Sequence, residues 1–151
     1  MNEKFIVTRE LGRLAKWLRI LGFDTAYHNI DNVSTLIITA LREDRIILTR
    51  NTKIGQHKGI KIIKIDSDFV KKQLTQVLGD LKISPRQDLM FSRCIICNKE
   101  LIAIEKTSIK DKVPEFVYNT QEEFVSCPVC GRIYWQGTHW GNVSDTLKDI
   151  L

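Results

Sequence analysis

Lys4-Phe-Ile-Val-Thr-Arg-Glu-Leu-Gly-Arg-Leu-Ala-Lys-Trp-Leu-Arg-Ile-Leu-Gly22 decides the fold class, because its apolar period changes part-way along. Residues 4–8 are short and apolar at their centre, the pattern of a buried strand. From Leu11 the apolar residues fall at Leu11, Leu14, Ala15, Leu18 and Leu21, one stripe of a helix. Gly22 follows at the place where helices commonly end in a left-handed residue. A strand that runs straight into an amphipathic helix is half of a βαβ unit.

The same alternation continues outward. Residues 24–28 read as a second strand, and Asp31 or Asn32 as the cap of a helix with the stripe Val33, Leu36, Ile37, Ala40 and Leu41. Residues 45–50 (RIILTR) and 59–65 (GIKIIKI) read as the third and fourth strands. Asp66, Ser67 or Asp68 can cap a further helix that buries Phe69, Val70, Leu74, Val77, Leu78 and Leu81. This order predicts an α/β domain over residues 1–85, a parallel sheet flanked by helices. The polar run 83–88 reads as a linker to a small second module, residues 90–151, with a separate core.

Cys94-Ile-Ile-Cys97 and Cys127-Pro-Val-Cys130 use all four cysteines of the chain. Two residues between cysteines let one tight turn aim both thiolates at one ion, and two such knuckles close a tetrahedral Cys₄ site. The spacing predicts a zinc ribbon with structural Zn²⁺ on Cys94, Cys97, Cys127 and Cys130. A redox pair would need one CxxC beside a βαβ unit. Paired disulfides would go with a secretory signal, and no apolar run precedes the first strand. The expected compartment is therefore reducing and cytoplasmic. Asn98 and Gly131 follow the knuckles and suit positive φ. Between the knuckles, residues 112–118 read as a hairpin, since Val113, Phe116, Val117 and Tyr118 are β-prone.

Charge is uneven along the chain. Residues 1–89 carry sixteen Lys or Arg against ten Asp or Glu, a balance of +6, and residues 90–151 carry seven against eight, or −1. A basic module beside a zinc ribbon suits a nucleic-acid partner; a soluble protein with many exposed lysines explains the same numbers. No stretch has the eighteen or so apolar residues of a membrane span.

In open α/β sheets ligands bind beyond the carboxyl ends of the strands. The residues there are Thr8 and Glu10, His28 and Asp31, Arg50 and Asn51, Asp66 and Asp68. Acidic groups on one rim suit a divalent cation, although helix capping also accounts for Asp31, Asp66 and Asp68. No glycine-rich phosphate loop follows any strand, which argues against a nucleotide cofactor. Arg9, Arg13 and Lys16, with Trp17 adjacent and Arg19 on the flank, make the first helix a candidate for phosphate contact and base stacking. The plainer alternative is a solvated polar face with Trp17 half-buried. Tyr134, Trp135, His139 and Trp140 are open to the same two explanations, packing against the first module or RNA contact.

Residues 5–25, the third-strand segment Arg45-Ile-Ile-Leu-Thr-Arg-Asn51, and the ribbon segments 91–97 and 127–140 together resemble the Mut-seven C-terminal RNase family. The resemblance runs nearly end to end. It implies a PIN-like nuclease fold joined to a zinc ribbon, with carboxylates at the strand ends holding Mg²⁺ or Mn²⁺ for RNA cleavage. Thr8 and Asn51 stand where the family usually has Asp, so the resemblance implies a degenerate acidic site. Glu10 and Asp31 are the remaining carboxylates, and Arg9, Arg13, Lys16 and Arg50 are the expected RNA contacts. Two functions follow: a metal-dependent ribonuclease, or a catalytically inactive module that binds RNA or a protein partner.

Overall fold

A computed structural model of the chain describes residues 3–135. Four strands, β1 (Lys4–Thr8), β2 (Asp24–His28), β3 (Ile46–Thr49) and β4 (Ile62–Lys64), form a parallel sheet in the order β2-β1-β3-β4. Helices α1 (Gly12–Ile20), α2 (Val33–Glu43) and α3 (Val70–Leu81) flank it. Both sheet faces are covered, and so β1, β3 and β4 read as short apolar runs, whereas the edge strand β2 (DTAYH) is mixed. Phe5, Val7, Leu48, Ile63 and Ile65 pack with α1 and α3, while Ile6 and Ile47 pack with Leu36 and Ala40 of α2. The α/β class and parallel sheet expected from the sequence are what the chain adopts.

The α1 stripe is buried throughout, at Leu11, Leu14, Ala15, Leu18 and Leu21. Its end is a Schellman turn: Phe23 N–H donates to Leu18 O at 2.9 Å and Gly22 N–H to Arg19 O at 3.0 Å. Gly22 has φ 96°, and a Cβ there would lie 2.5 Å from Leu89 O. Glycine is therefore required both for the turn and for the close approach of the linker.

Of the two caps expected for α2, Asn32 serves, its Oδ1 accepting from Thr35 N–H at 3.1 Å, and Asp31 does not. Several other local expectations are corrected. No side chain caps α3; Ser67 Oγ instead accepts from Phe69 N–H at 3.0 Å, and Gln73 Nε2 donates to Ser67 O. Phe69 is 64% exposed, because it is the residue before the helix and not part of its inward stripe. Val33 and Leu41 are exposed too, since α2 covers the sheet through the narrower line of Leu36 and Ala40. Residues 50–61 join β3 to β4 without a helix. Ile54 of this loop is buried beside Leu36 and Ile47 and does the covering that a crossover helix would do.

The C-terminal part contains an antiparallel sheet β5-β6-β7 (Ile102–Ile104, Phe124–Ser126, Ile133–Tyr134). The expected hairpin at 112–118 is absent: a 3₁₀ turn (Lys106–Ile109) and helix α4 (Glu115–Thr120) lie there. Pro114 has no N–H for a ladder and a φ of −56° already suited to a helix start. Its carbonyl accepts from Tyr118 N–H at 3.0 Å, closing the first turn.

The two sheets are tied together rather than resting on independent cores. Met90 and Phe91 pack against the α1 core, and Phe91 N–H donates to Ile20 O at 2.8 Å. Arg19, 7% exposed, donates from Nη1 to Ile95 O (2.8 Å) and Ile96 O (3.1 Å) of the first knuckle, and from Nε to Thr25 O (2.9 Å). Asn98 Oδ1 accepts from Thr25 N–H at 2.9 Å, and its Nδ2 donates to Asp24 Oδ1 at 2.6 Å. Among the described residues, no helix is long and apolar enough to cross a membrane.

Candidate functional site

With the order β2-β1-β3-β4, the chain leaves β1 toward one edge and returns to β3 on its other side. The crevice between the carboxyl ends of β1 and β3 is thus the topological switch point, where ligands of such sheets bind. Thr8 and Thr49 end these two strands, with their hydroxyl oxygens 3.0 Å apart. Thr8 Oγ1 donates to Glu10 Oε1 at 2.5 Å, and Thr49 Oγ1 lies 3.5 Å from the same oxygen. Thr49 Oγ1 also accepts from Asn51 N–H at 3.0 Å. Thr8, Glu10 and Asn51 are thereby brought to one place, organised by Thr49, which the sequence did not single out. Thr49 is fully buried at the end of an apolar run, and a polar residue closing such a run was the available signal.

What this cluster offers is one carboxylate collared by two hydroxyls. Asn51 is exposed, and its Oδ1 accepts from Lys53 N–H at 3.0 Å, starting the β3–β4 loop. Lys64 reaches the same loop from β4 and donates to Asn51 O at 2.7 Å. His28 is buried at the end of β2 with Nε2 3.3 Å from Asn32 O, and Asp31 is exposed in the turn beyond it. Among the described residues, only the four cysteines form a group of three or more His, Cys, Asp or Glu whose ligand atoms converge. Mg²⁺ is held by carboxylates in an octahedral oxygen shell. A single carboxylate already bonded to hydroxyls, with an ammonium close to the loop beside it, is a poor match for that ion.

The cysteines are a different matter. Their sulfurs lie within 4.8 Å of one another and could hold a metal ion. Asn98 and Gly131 have φ of 65° and 76°, the left-handed conformation expected after each knuckle. Backbone N–H groups of Cys97 and Val129 point at Cys94 Sγ and Cys127 Sγ, both at 3.4 Å, which stabilises thiolates. Without an ion, four thiolates cannot coexist so closely. Hydrogen bonds from the Arg132 backbone and side chain draw Cys130 down to about 6, while desolvation and the neighbouring sulfurs push Cys97 up to about 12. Desolvation raises the Tyr134 hydroxyl as well, with the Cys94 sulfur 3.2 Å away adding to it.

The basic residues divide. Arg9, Arg13, Lys16 and Arg50 are exposed. Arg19 is not available to a ligand, because its guanidinium is buried against the first knuckle. A cavity of about 850 Å³ opens between α1 and the three-stranded sheet, lined among others by Arg13, Lys16, Trp17, Arg93, Tyr134 and Trp135. Trp17, Tyr134 and Trp135 are half-buried in its walls. His139 and Trp140 lie outside the described residues.

The family model described as the Mut7-C RNAse domain matches residues 3–147. The chain belongs to that family. The match to the Mut7-C RNAse domain spans both sheets and both CxxC knuckles, so the fold and the cysteine cluster are read together as one family unit. No curated protein and no solved structure matches.

Proposed function

We propose that this Mut7-C RNAse domain protein binds RNA across the strand-end crevice and cleaves it slowly or not at all, and that zinc holds its C-terminal ribbon. One observation carries the first part: among the described residues, the only carboxylate bonded into the β1/β3 crevice, Glu10, is bonded to hydroxyls rather than joined by other acids. Carboxylates at positions 8 and 51 would supply anionic oxygens for a hard cation, and Thr8 and Asn51 do not. Phosphate contact falls to Arg9, Arg13, Lys16 and Arg50, with Trp17 offering part of its ring for stacking.

For the ribbon, the support is chemical fit. Zinc–sulfur bonds of about 2.3 Å give a tetrahedron with edges of about 3.8 Å. Cys94 Sγ and Cys130 Sγ are 3.7 Å apart. Zn²⁺ would cancel thiolate repulsion and fix both knuckles, leaving no open position for chemistry. Modules at 1–85 and 90–151 are the corresponding division of labour.

Family membership favours a second reading, a metal-dependent ribonuclease that uses Glu10 and Asp31 with phosphate completing the ion's shell. A single experiment separates the two: Mn²⁺ titration of the purified protein with single-stranded RNA, following binding by anisotropy and cleavage on a gel. Salt-sensitive binding without cleavage is the expected result, with binding weakened by Arg13→Glu plus Lys16→Glu. Metal-dependent cleavage abolished by Asp31→Asn would replace the proposal with the second reading.

A further inference from the structure

The β3–β4 loop, residues 50–61, is the most cationic stretch of the chain. Residues 45–65 contain six Lys or Arg, one His and no Asp or Glu. Two of the six are committed internally: Arg45 pairs with Asp24 and Glu43, and Lys64 donates to the carbonyls of Asn51 and Ile54. The other four, Arg50, Lys53, Lys58 and Lys61, are exposed. Among the described residues, Lys53, Lys58 and Lys61 make no ion pair, whereas Arg42, Arg86, Arg93 and Lys106 each have an acidic partner.

This loop is also held in place. Ile54 is 4% exposed in the core under α2, the Lys64 ammonium ties two loop carbonyls, and the Asn51 side chain closes the first turn. An anchored backbone loses little freedom when its uncompensated cations meet an anion, and each phosphate contact releases condensed counterions. The loop starts at Arg50 and Asn51, beside the crevice, and runs back to the amino end of the sheet, where Lys61 O accepts from Ile47 N–H at 3.0 Å, so its lysines trail away from the crevice along the molecule.

We propose that Lys53, Lys58 and Lys61 form a second phosphate-binding surface, which takes the sugar–phosphate backbone of single-stranded RNA as it leaves the crevice. The proposal rests on the RNA-binding reading above and adds a surface that leads from the crevice along the loop, over the sheet face that packs with α2 and not with α1. Recognition there is by charge and is indifferent to base sequence.

The test is anisotropy of a labelled oligouridylate with the wild type and with Lys53→Gln/Lys58→Gln/Lys61→Gln, which leaves Lys64 to anchor the loop. Three lost contacts should flatten the slope of log affinity against log salt by about 2, so that between about 50 and 200 mM salt the wild type loses roughly 20-fold more affinity than the variant. Lys71→Gln/Lys72→Gln on α3 should leave the slope unchanged. Equal slopes for wild type and triple variant, with binding still sensitive to Arg13→Glu and Lys16→Glu, would overturn this surface and leave the RNA reading standing. A wild type with no salt-sensitive RNA binding would overturn both. A polyglutamate peptide that binds as tightly as RNA, and equally loses binding in the triple variant, would reassign the loop to acidic proteins and overturn the proposal.

Discussion

Replacing Arg19 by Met should destabilise both sheets at once. The substitution keeps most of the aliphatic stem and removes three donated hydrogen bonds, to Thr25 O, Ile95 O and Ile96 O. A hydrogen bond from a charged donor contributes about 1.5–3 kcal/mol, so the gross loss is roughly 5–9 kcal/mol. Burial opposes it: desolvation is the largest influence on Arg19 and lowers its pKa, and removing the charge recovers several kcal/mol. The net expected loss is about 2–4 kcal/mol, or about 5–15 °C in Tm for a chain of this size. Denaturant unfolding at saturating zinc measures it, with Arg13→Met, an exposed position on the same helix, as control. Arg19→Lys should fall between, because a point-like ammonium cannot reach three carbonyls at once. The Arg19→Met variant should also surrender its metal faster to a chelator, since the first knuckle loses its anchor. Stability of Arg19→Met within about 0.5 kcal/mol of the wild type, at an unchanged chelation rate, would refute the reasoning.

Three further outcomes are expected. Elemental analysis should find one zinc per chain, and Cys127→Ser should lose it and loosen α1 as well as the ribbon; retention of stoichiometric zinc, or a disulfide among these cysteines, would contradict this. Thr8→Asp with Asn51→Asp should lower stability when no Mn²⁺ is added, because the carboxylate introduced at position 8 would meet that of Glu10, and Mn²⁺ at a hundredfold excess over Kd should return about 2.7 kcal/mol; a Tm response to Mn²⁺ no larger than the wild type's would count against a site at this crevice. Burial works against the Asp24 charge, yet the Asn98 amide and the Arg45 guanidinium hold its carboxyl below the usual range. Its contribution to stability is therefore complete above the unfolded value of about 3.9 and lost as pH falls through the lower folded value. The stability gap between wild type and Asp24→Asn should accordingly close on acidification below about pH 4, and a gap that persists there would show another cause.

Much of this was legible in the sequence because its signals are periodic. The stripe from Leu11 to Leu21 and the apolar runs of β1, β3 and β4 each specify an element by themselves, and two CxxC pairs specify one another. What failed depends on partners that periodicity does not carry. Arg19 sits at helical spacing with Arg13 and Lys16 and looks equally solvent-facing, but its carbonyl acceptors lie 76 and 77 residues away. Residues 113–118 are β-prone, yet Pro114 and the lack of a strand partner let a short helix form there. Of the candidate site, Thr8 and Asn51 are placed by their strand-end positions, and only their departure from Asp shows against the family pattern. Thr49, which bonds to both, became visible only when β1 and β3 were side by side.

The order in which the chain is made gives the Arg19 tie another meaning. Every strand that pairs with β1 or β3 has been synthesised once Lys64 is added, and α3 is complete at Leu81. A nascent chain of that length holds the whole parallel sheet but none of the knuckle carbonyls that Arg19 meets in the finished chain, so its guanidinium is left to water on that side. Docking of the first knuckle exchanges those waters for the Ile95 and Ile96 carbonyls, so the segment that carries Cys94 and Cys97 is oriented by a residue of the first helix and not by the metal alone.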